Sequence, residues 1–363
     1  MSFNKKFFTT GGIVAASPSA APITGTDHFS PVTYEGSGST KSISSLDFPP
    51  DFVWFKRRTG SPQANNLFDS VRGQGKILYS NLSDAEGTTT NHLTSFDTNG
   101  FTVQSAQSIN GIGQDYIAWC WKGGGPDVLN ENGSIDSQVS ANTAAGFSIG
   151  TYSGNSTAGA TIGHGLTAAP ELLIVKNTNT VGGSSKTWTV YAEPLGNTDY
   201  LYLATTNARD TYLYFWNNTS PINDVFSVGS DTNVNATGGN YVFYAFHSVA
   251  GYQKVGSYNG ASGRATISGL GFKPRFVMIK NITTTGTNWQ LFDNQRNTIT
   301  DKLNNYLRAN TSDSESGAST FALFVGNTQT SPVTDYNDGF QVAAVNNKQI
   351  NLSGNTFIYL AIA

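Results

Sequence analysis

The stretch Pro50-Asp51-Phe52-Val53-Trp54-Phe55-Lys56 returns as Pro170-Glu171-Leu172-Leu173-Ile174-Val175-Lys176 and again as Pro274-Arg275-Phe276-Val277-Met278-Ile279-Lys280. The step from proline to lysine is six residues each time (56−50, 176−170, 280−274). The β-branched and aromatic residues between them suit a pleated, buried strand. A leading proline, with its fixed φ and no ladder donor, suits the first residue of one. A chain that writes one strand three times at this distance must also repeat whatever packs around it.

A Tyr-x-Gly turn precedes each of these strands: Tyr34-Glu35-Gly36, Tyr152-Ser153-Gly154 and Tyr258-Asn259-Gly260, with Gly-to-Pro spacings of 14, 16 and 14 (50−36, 170−154, 274−260). An Ile and then a Leu fall in the gap: Ile43 and Leu46, Ile162 and Leu166, Ile267 and Leu270. After the lysine, a polar turn leads to Leu67-Phe68-Asp69-Ser70-Val71-Arg72, Trp188-Thr189-Val190-Tyr191 or Leu291-Phe292-Asp293-Asn294-Gln295-Arg296. Each copy closes on an aromatic strand, at 116–121, 241–246 or 357–362. A period of about 110 residues is domain-sized, so each copy is expected to bury its own core. Its about six to eight short strands suit a sandwich or barrel. The expected architecture is all-β: three tandem β-sandwich (jelly-roll-like) units at 29–123, 146–247 and 251–363, an extended N-terminal arm at 1–28 and a linker at 124–145. The second junction, Ser248-Val249-Ala250-Gly251, is short enough to hold units two and three together.

Composition agrees and excludes several functions. Charged residues are 12% of the chain, about half the usual share, and turn-forming Gly, Ser, Thr and Asn fill the gaps between apolar runs. A net charge of −3 with no basic patch argues against nucleic acid. The single cysteine, Cys120, leaves no intrachain disulfide and no zinc ribbon. Inside Trp119-Cys120-Trp121 it reads as a buried, inert thiol. No apolar run approaches the ~20 residues of a membrane span, so insertion is not expected. Lys5-Lys6-Phe7-Phe8 and Ile13-Val14-Ala15-Ala16 faintly imitate a signal peptide, but Thr9-Thr10-Gly11-Gly12 interrupts the apolar core. The arm reads instead as an aperiodic segment that a neighbouring chain would have to hold.

Candidate chemistry is sparse. Asp69 with Arg72, and Asp293 with Arg296, keep one offset in two copies. An anion-binding arginine is one reading; the pattern favours an ion pair or turn cap that orients a strand end. Copy two has Glu193 and no arginine there. Lys56, Lys176 and Lys280 could be Schiff-base or phosphate-binding amines. The plainer expectation is an alkyl stem on apolar surface with its ammonium in water. Arg57-Arg58 is the one basic cluster, a candidate for an acidic glycan or a partner carboxylate, with a solvated loop base as the alternative. His28, His92, His164 and His247 share no ligand spacing and sit in no nucleophile motif, so no metal, catalytic residue or cofactor is expected. Asp51, Asp69 and Glu86 leave a glycosidase carboxylate pair formally open. Asp231-Thr232-Asn233-Val234-Asn235 lacks the glycine and the final acid of an EF-hand loop, and Gly123-Gly124-Gly125 precedes no Lys-Ser/Thr. Tyr212-Leu213-Tyr214-Phe215-Trp216-Asn217-Asn218 has no counterpart in the other copies. Tyr212, Tyr214 and Trp216 are therefore the candidate exposed contact residues, beside Arg57 and Arg58.

Residues 47–56, 67–73, 78–86, 93–101 and 118–124 together resemble an uncharacterised tandem-repeat domain family of virion proteins from marine tailed phages, including those of cyanobacteria. The family pattern is a Tyr-x-Gly turn followed by GF-x-P-D-x-V-W-x-K, LFDSVRG, L-x-SN-x-(T/S)-x-AE, LTSF-x-x-(D/N)GF and AWCWK-GG. Copy one matches nearly throughout and the others in part, so the likeness covers residues 29–363. The combined motif is specific; no single piece is. The resemblance implies a concanavalin-type jelly roll, a virion location and no reaction. On this footing the chain is expected to be a non-enzymatic virion structural protein, a surface decoration or a tail or fibre component. Its N-terminal arm would anchor it to other virion proteins of the capsid or tail, or to further copies of itself as a homo-oligomer. Recognition of a host surface glycan or receptor is the alternative, and a glycan-degrading enzyme the remoter one. Three copies in one chain could also imitate a trimer at a threefold or pseudo-threefold position.

Overall fold

The computed structural model describes residues 26–181, 186–297, 302–317, 322–325, 338–343 and 347–363, so the arm up to residue 25 lies outside the described residues. Strands dominate, and the α-helices among the described residues, Gln107–Asn110 and Leu213–Trp216, are single turns. In the first third, one large sheet runs in the spatial order Phe29–Glu35, Asp115–Trp121, Phe52–Arg57, Asn66–Asp69, Lys76–Tyr79, Gly87–Thr88. The second third gives Phe147–Ser153, Asn240–Phe246, Leu172–Asn177, Thr189–Ala192, Asp199–Tyr202, Asp210–Thr211. The last gives Gln253–Asn259, Thr356–Ile362, Phe276–Asn281, Gln290–Asp293, Asn305–Arg308, Ser316–Gly317. Order, antiparallel sense and register all recur: Phe52, Leu172 and Phe276 pair with Trp121, Phe246 and Ile362. Phe29, Phe147 and Gln253 pair with the same three residues from the other side. A smaller sheet covers one face of each large one, and its central pairs are Lys41–Ile43 with Gly100–Val103, Ala160–Gly163 with Val225–Val228, and Ala265–Ser268 with Gly339–Val342.

Alternation along the Pro-to-Lys strands divides their side chains between two cores. Val53 and Phe55 join the core between the two sheets of the first sandwich, as do Leu173 and Val175 in the second and Val277 and Ile279 in the third. Phe52 and Trp54, Leu172 and Ile174, and Phe276 and Met278 face the other way, into a further core shared by all three units. Five of the six tryptophans, Trp54, Trp119, Trp121, Trp188 and Trp289, lie in it. Across it the Phe52 ring stacks on Tyr244 at 4.4 Å and Phe29 meets Phe276 at 5.3 Å. Each copy thus has the core of its own that was expected, and a fourth core, which was not, joins the units at their common centre. Strands covered on both faces read as continuous apolar runs, which is how all three Pro-to-Lys stretches are written.

A second correction concerns residues 124–145. They are no linker but add Val128–Asn130 and Ser137–Asn142 to the edge of the second large sheet, beside Phe147–Ser153. Their polar composition reflects exposure at that edge: Val128 and Leu129 of the outermost strand are exposed, and on the next strand Ser137 and Val139 are buried while Gln138 is exposed.

The Tyr-x-Gly turn has one cause in all three units. The hydroxyls of Tyr34, Tyr152 and Tyr258 donate to the carbonyls of Ile109, Val234 and Ile350, each at 2.6 Å. A Cβ on Gly36, Gly154 or Gly260 would lie 2.2, 2.5 or 2.1 Å from a backbone oxygen, closer than any side chain can sit. The residue after each accepting carbonyl is a fully buried asparagine, Asn110, Asn235 or Asn351. Its Oδ1 accepts from the N–H of Ser37, Asn155 or Ala261, and its Nδ2 donates to two further carbonyls. The sequence reading missed these asparagines. Their signal is an apolar-Asn pair whose Asn stands six residues before Tyr116, Tyr241 or Phe357 (116−110, 241−235, 357−351).

Candidate functional site at the seams between the units

The units close into a ring in which each donates to the next in one rotational sense. Trp188 Nε1 of unit two donates to the Tyr79 carbonyl of unit one (2.8 Å), and Trp289 Nε1 of unit three to the Tyr202 carbonyl of unit two (3.0 Å). The same position in unit one is Asn65, whose Nδ2 donates to the Arg308 and Ala309 carbonyls of unit three (3.0 and 2.8 Å). The surface each unit offers differs from the one it receives, so the contact is heterologous and closes after three.

The conserved offset noted at Asp69 and Asp293 sits in these seams. Arg72 caps Asp69 through its backbone N–H (2.8 Å) and Nε (2.6 Å), and Arg296 does the same for Asp293 (3.2 and 2.6 Å). The expected turn-capping ion pair is present, and it is almost wholly buried. The neighbouring unit completes it: Tyr244 Oη donates to Asp69 Oδ2 at 2.8 Å, and Trp119 Nε1 to Asp293 Oδ2 at 2.9 Å. Burial holds the Tyr244 hydroxyl well above its ordinary range, so it stays protonated as a donor. Tyr244 and Trp119 occupy one position of the closing strand, which in unit three is Leu360; unit two has Ala192 and Leu195 where the others have Asp and Arg. Leu360, Ala192 and Leu195 all belong to the central core. Two seams carry a polar trio and the third an apolar one.

The lysines overturn the expectation of an ammonium in water. Lys56, Lys176 and Lys280 have no exposed surface. Lys56 Nζ donates to the carbonyls of Gln63 (3.4 Å) and, in unit three, Thr311 (3.0 Å). Lys176 Nζ donates to the carbonyl of Ser83 in unit one (3.0 Å), and Lys280 Nζ to the Thr287 carbonyl and hydroxyl. Each strand ends at the seam, so its last side chains have nowhere else to go. Burial lowers Lys56 and Lys280 to about 7 and Lys176 to about 8.

Arg57 and Arg58 are likewise not a solvated base. Arg57 is buried and donates from Nε to Thr59 O within its own turn (2.7 Å). Arg58 grips Glu315 of unit three with Nε and Nη2 (2.9 and 3.1 Å), and Arg296 Nη1 reaches the same carboxylate (3.1 Å). Arg58→Ala is expected to cost about 1–2 kcal/mol in urea denaturation, and adding Glu315→Gln to cost more, because the buried Arg296 then loses the same carboxylate. Trp216 must be withdrawn from the exposed patch, since it is buried with Phe215 in the second sandwich. The helical turn Leu213–Trp216 sends those two inward and leaves Tyr212 and Tyr214 38% and 46% exposed, their rings 5.3 Å apart. The tyrosines contact Asp231, Tyr200 and Phe215 of unit two, so they do not converge with the arginines. Of the carboxylates, Asp51 is held by Ser70 Oγ and the Gly123 N–H (2.9 and 2.8 Å), Asp69 by Arg72, and Glu86 by Arg72 Nη1 and Lys76 Nζ (3.1 and 3.5 Å).

No curated protein and no solved structure matches the chain. One family model, described as a domain of unknown function (DUF7483), matches residues 24–363 and so spans all three units at once. The chain belongs to this DUF7483 family.

Proposed function

We propose that this chain is a non-enzymatic structural protein of a phage virion, a single-chain counterpart of a trimer that decorates the surface or forms part of the tail or a fibre. The supporting observation is the closed ring: three sheets of one strand order share a central core. A heterologous ring that closes at three leaves no open end to polymerise, so its outer surface is free for other partners. The carboxylates and lysines that could have done chemistry serve as contacts between strands and units, which fits a protein whose work is assembly. The motif likeness to virion proteins supports the setting. The test is quantitative mass spectrometry and antibody-gold labelling of gradient-purified particles. A fixed copy number and surface labelling are expected; absence from purified particles overturns the proposal. Deleting residues 1–25 is expected to leave folding intact and to abolish incorporation, since the arm is the proposed anchor.

Tyr212 and Tyr214, exposed side by side, favour a host-glycan contact as the second reading, because flat amphipathic rings stack on sugars. A glycan array with the protein and its Tyr212→Ala/Tyr214→Ala variant decides this. Binding lost in the variant supports it, and no binding by the parent removes it.

A further inference from the structure

The internal repeat lets the three seams be compared with one another, and one of them is missing a side chain. The first residue past each Pro-to-Lys strand is Arg58, Thr178 or Ile282, and its backbone carbonyl accepts from the neighbour's Glu315, Glu86 or Arg209 N–H (2.9, 2.8 and 3.1 Å). At the seam of units one and three, the Arg58 guanidinium fills the space and holds Glu315 with two bonds. At the seam of units three and two the carboxylate itself is gone, replaced by Arg209, and Ile282 belongs to the central core. At the seam of units two and one the carboxylate remains as Glu86, tied to Arg72 as Glu315 is tied to Arg296 (3.1 Å in both). Its would-be partner has shrunk to Thr178. A cavity of about 490 Å³ opens there, lined by Arg72, Glu86 and Thr178. Val128–Asn130 and Ser137–Asn142, which have no counterpart among the described residues of the other units, flank this cavity, and the exposed carboxylate of Asp136 between them lines it.

We propose that this cleft is a binding site for a guanidinium group, taking the place beside Glu86 that Arg58 takes beside Glu315. A second guanidinium next to the first is already accommodated once in this protein, since Arg58 and Arg296 share Glu315. Planar, bidentate capture of such a group by a carboxylate is the geometry in which charge-assisted hydrogen bonds are strongest. Lys76, 3.5 Å from Glu86, stands where unit three has Asn305; its side chain is 42% exposed, so it can swing into water when a ligand arrives. The cavity is within the range of small-molecule sites. The guanidinium can come from a free small molecule or from an arginine of a partner protein. The proposal is independent of the virion reading.

The test titrates the full chain with agmatine, with the blocked peptide acetyl-Gly-Arg-Gly-amide, and with the same peptide carrying citrulline, the neutral isostere of arginine. Binding is read by calorimetry and by amide NMR shifts at the cleft. Saturable binding with Kd on the order of 1 mM or tighter is expected for at least one guanidine and not for citrulline. Agmatine alone points to a small molecule; the arginine peptide points to a partner's side chain. Thr178→Arg rebuilds the Arg58–Glu315 pair at this seam, so it is expected to abolish binding and raise the melting temperature. Asp136→Asn, at an exposed site where folding is not at stake, is expected to weaken binding severalfold. Absence of saturable binding, equal binding of citrulline, or unchanged binding by either variant overturns the assignment.

Discussion

Asp69→Ala is expected to lower the free energy of unfolding by about 3–5 kcal/mol, as measured by urea denaturation. The change leaves Arg72, only 4% exposed, without its carboxylate, and Tyr244 Oη, contributed by the next unit, without its acceptor. Arg72 keeps Glu86 and the Leu67 carbonyl, which places the loss toward the lower end. The third seam shows how the loss can be undone. There Ala192, Leu195 and Leu360 fill the positions of Asp69, Arg72 and Tyr244 with apolar groups. The triple variant Asp69→Ala/Arg72→Leu/Tyr244→Phe is accordingly expected to recover most of the stability that the single change removes, because replacing a buried ion pair wholesale by packed apolar groups is close to neutral. A triple variant no more stable than Asp69→Ala would mean that the polar trio holds the ring in a way apolar packing cannot replace.

The same comparison explains how much of the molecule was legible in its residues. Strand positions were, because each Pro-to-Lys run is flanked by a turn whose tyrosine and glycine have local jobs. The offset of Asp69 and Arg72 was legible as a cap, since a three-residue spacing closes a turn by itself. What lay beyond local reach was the direction in which an apolar residue faces. Val53 and Trp54 look alike in a string of hydrophobics, yet one faces its own sandwich and the other faces two foreign units. Lys56 at the end of such a run reads as the point where the strand enters water. Its shorter hydrogen bond is to the neighbour's Thr311 carbonyl, 255 positions away, which no local pattern announces. Arg58 was misread for the same reason, its partner Glu315 being just as distant in the chain. Trp216 looked exposed because it sits among tyrosines that are exposed; a helical turn separates the two groups by side, not by composition.

Raising the pH from 7 to 9 is expected to stabilise the protein, and the three lysines are the reason. Unfolded, each titrates near 10.4; folded, burial holds Lys56 and Lys280 at about 7 and Lys176 at about 8. Between those values the unfolded chain binds more protons, so unfolding becomes costlier as pH rises. The slope approaches about 1.4 kcal/mol per pH unit for each lysine fully neutral in the fold. Below pH 7 both states are charged and the full burial penalty remains. Few other groups compete in this window. Burial lowers His28, His92 and His164, which puts their titration below it, and raises Tyr244, Tyr152 and Tyr258. The buried Cys120 thiol, pushed up by burial, would oppose the trend only as free thiols ionise, near pH 9 and above. Lys280→Met separates the amine from its seam contacts, because Lys280 donates within its own unit. The variant is expected to unfold with a flatter pH profile and at least wild-type stability at pH 7. Lys56→Met should flatten the profile equally but also lose the bridge to Thr311. A urea midpoint that does not move between pH 7 and 9, or that moves as much in Lys280→Met as in the parent, would mean that the ring buries these side chains as ammonium ions. The carbonyls at the seams would then be the cation-holding element of the fold, rather than incidental neighbours of a neutral amine.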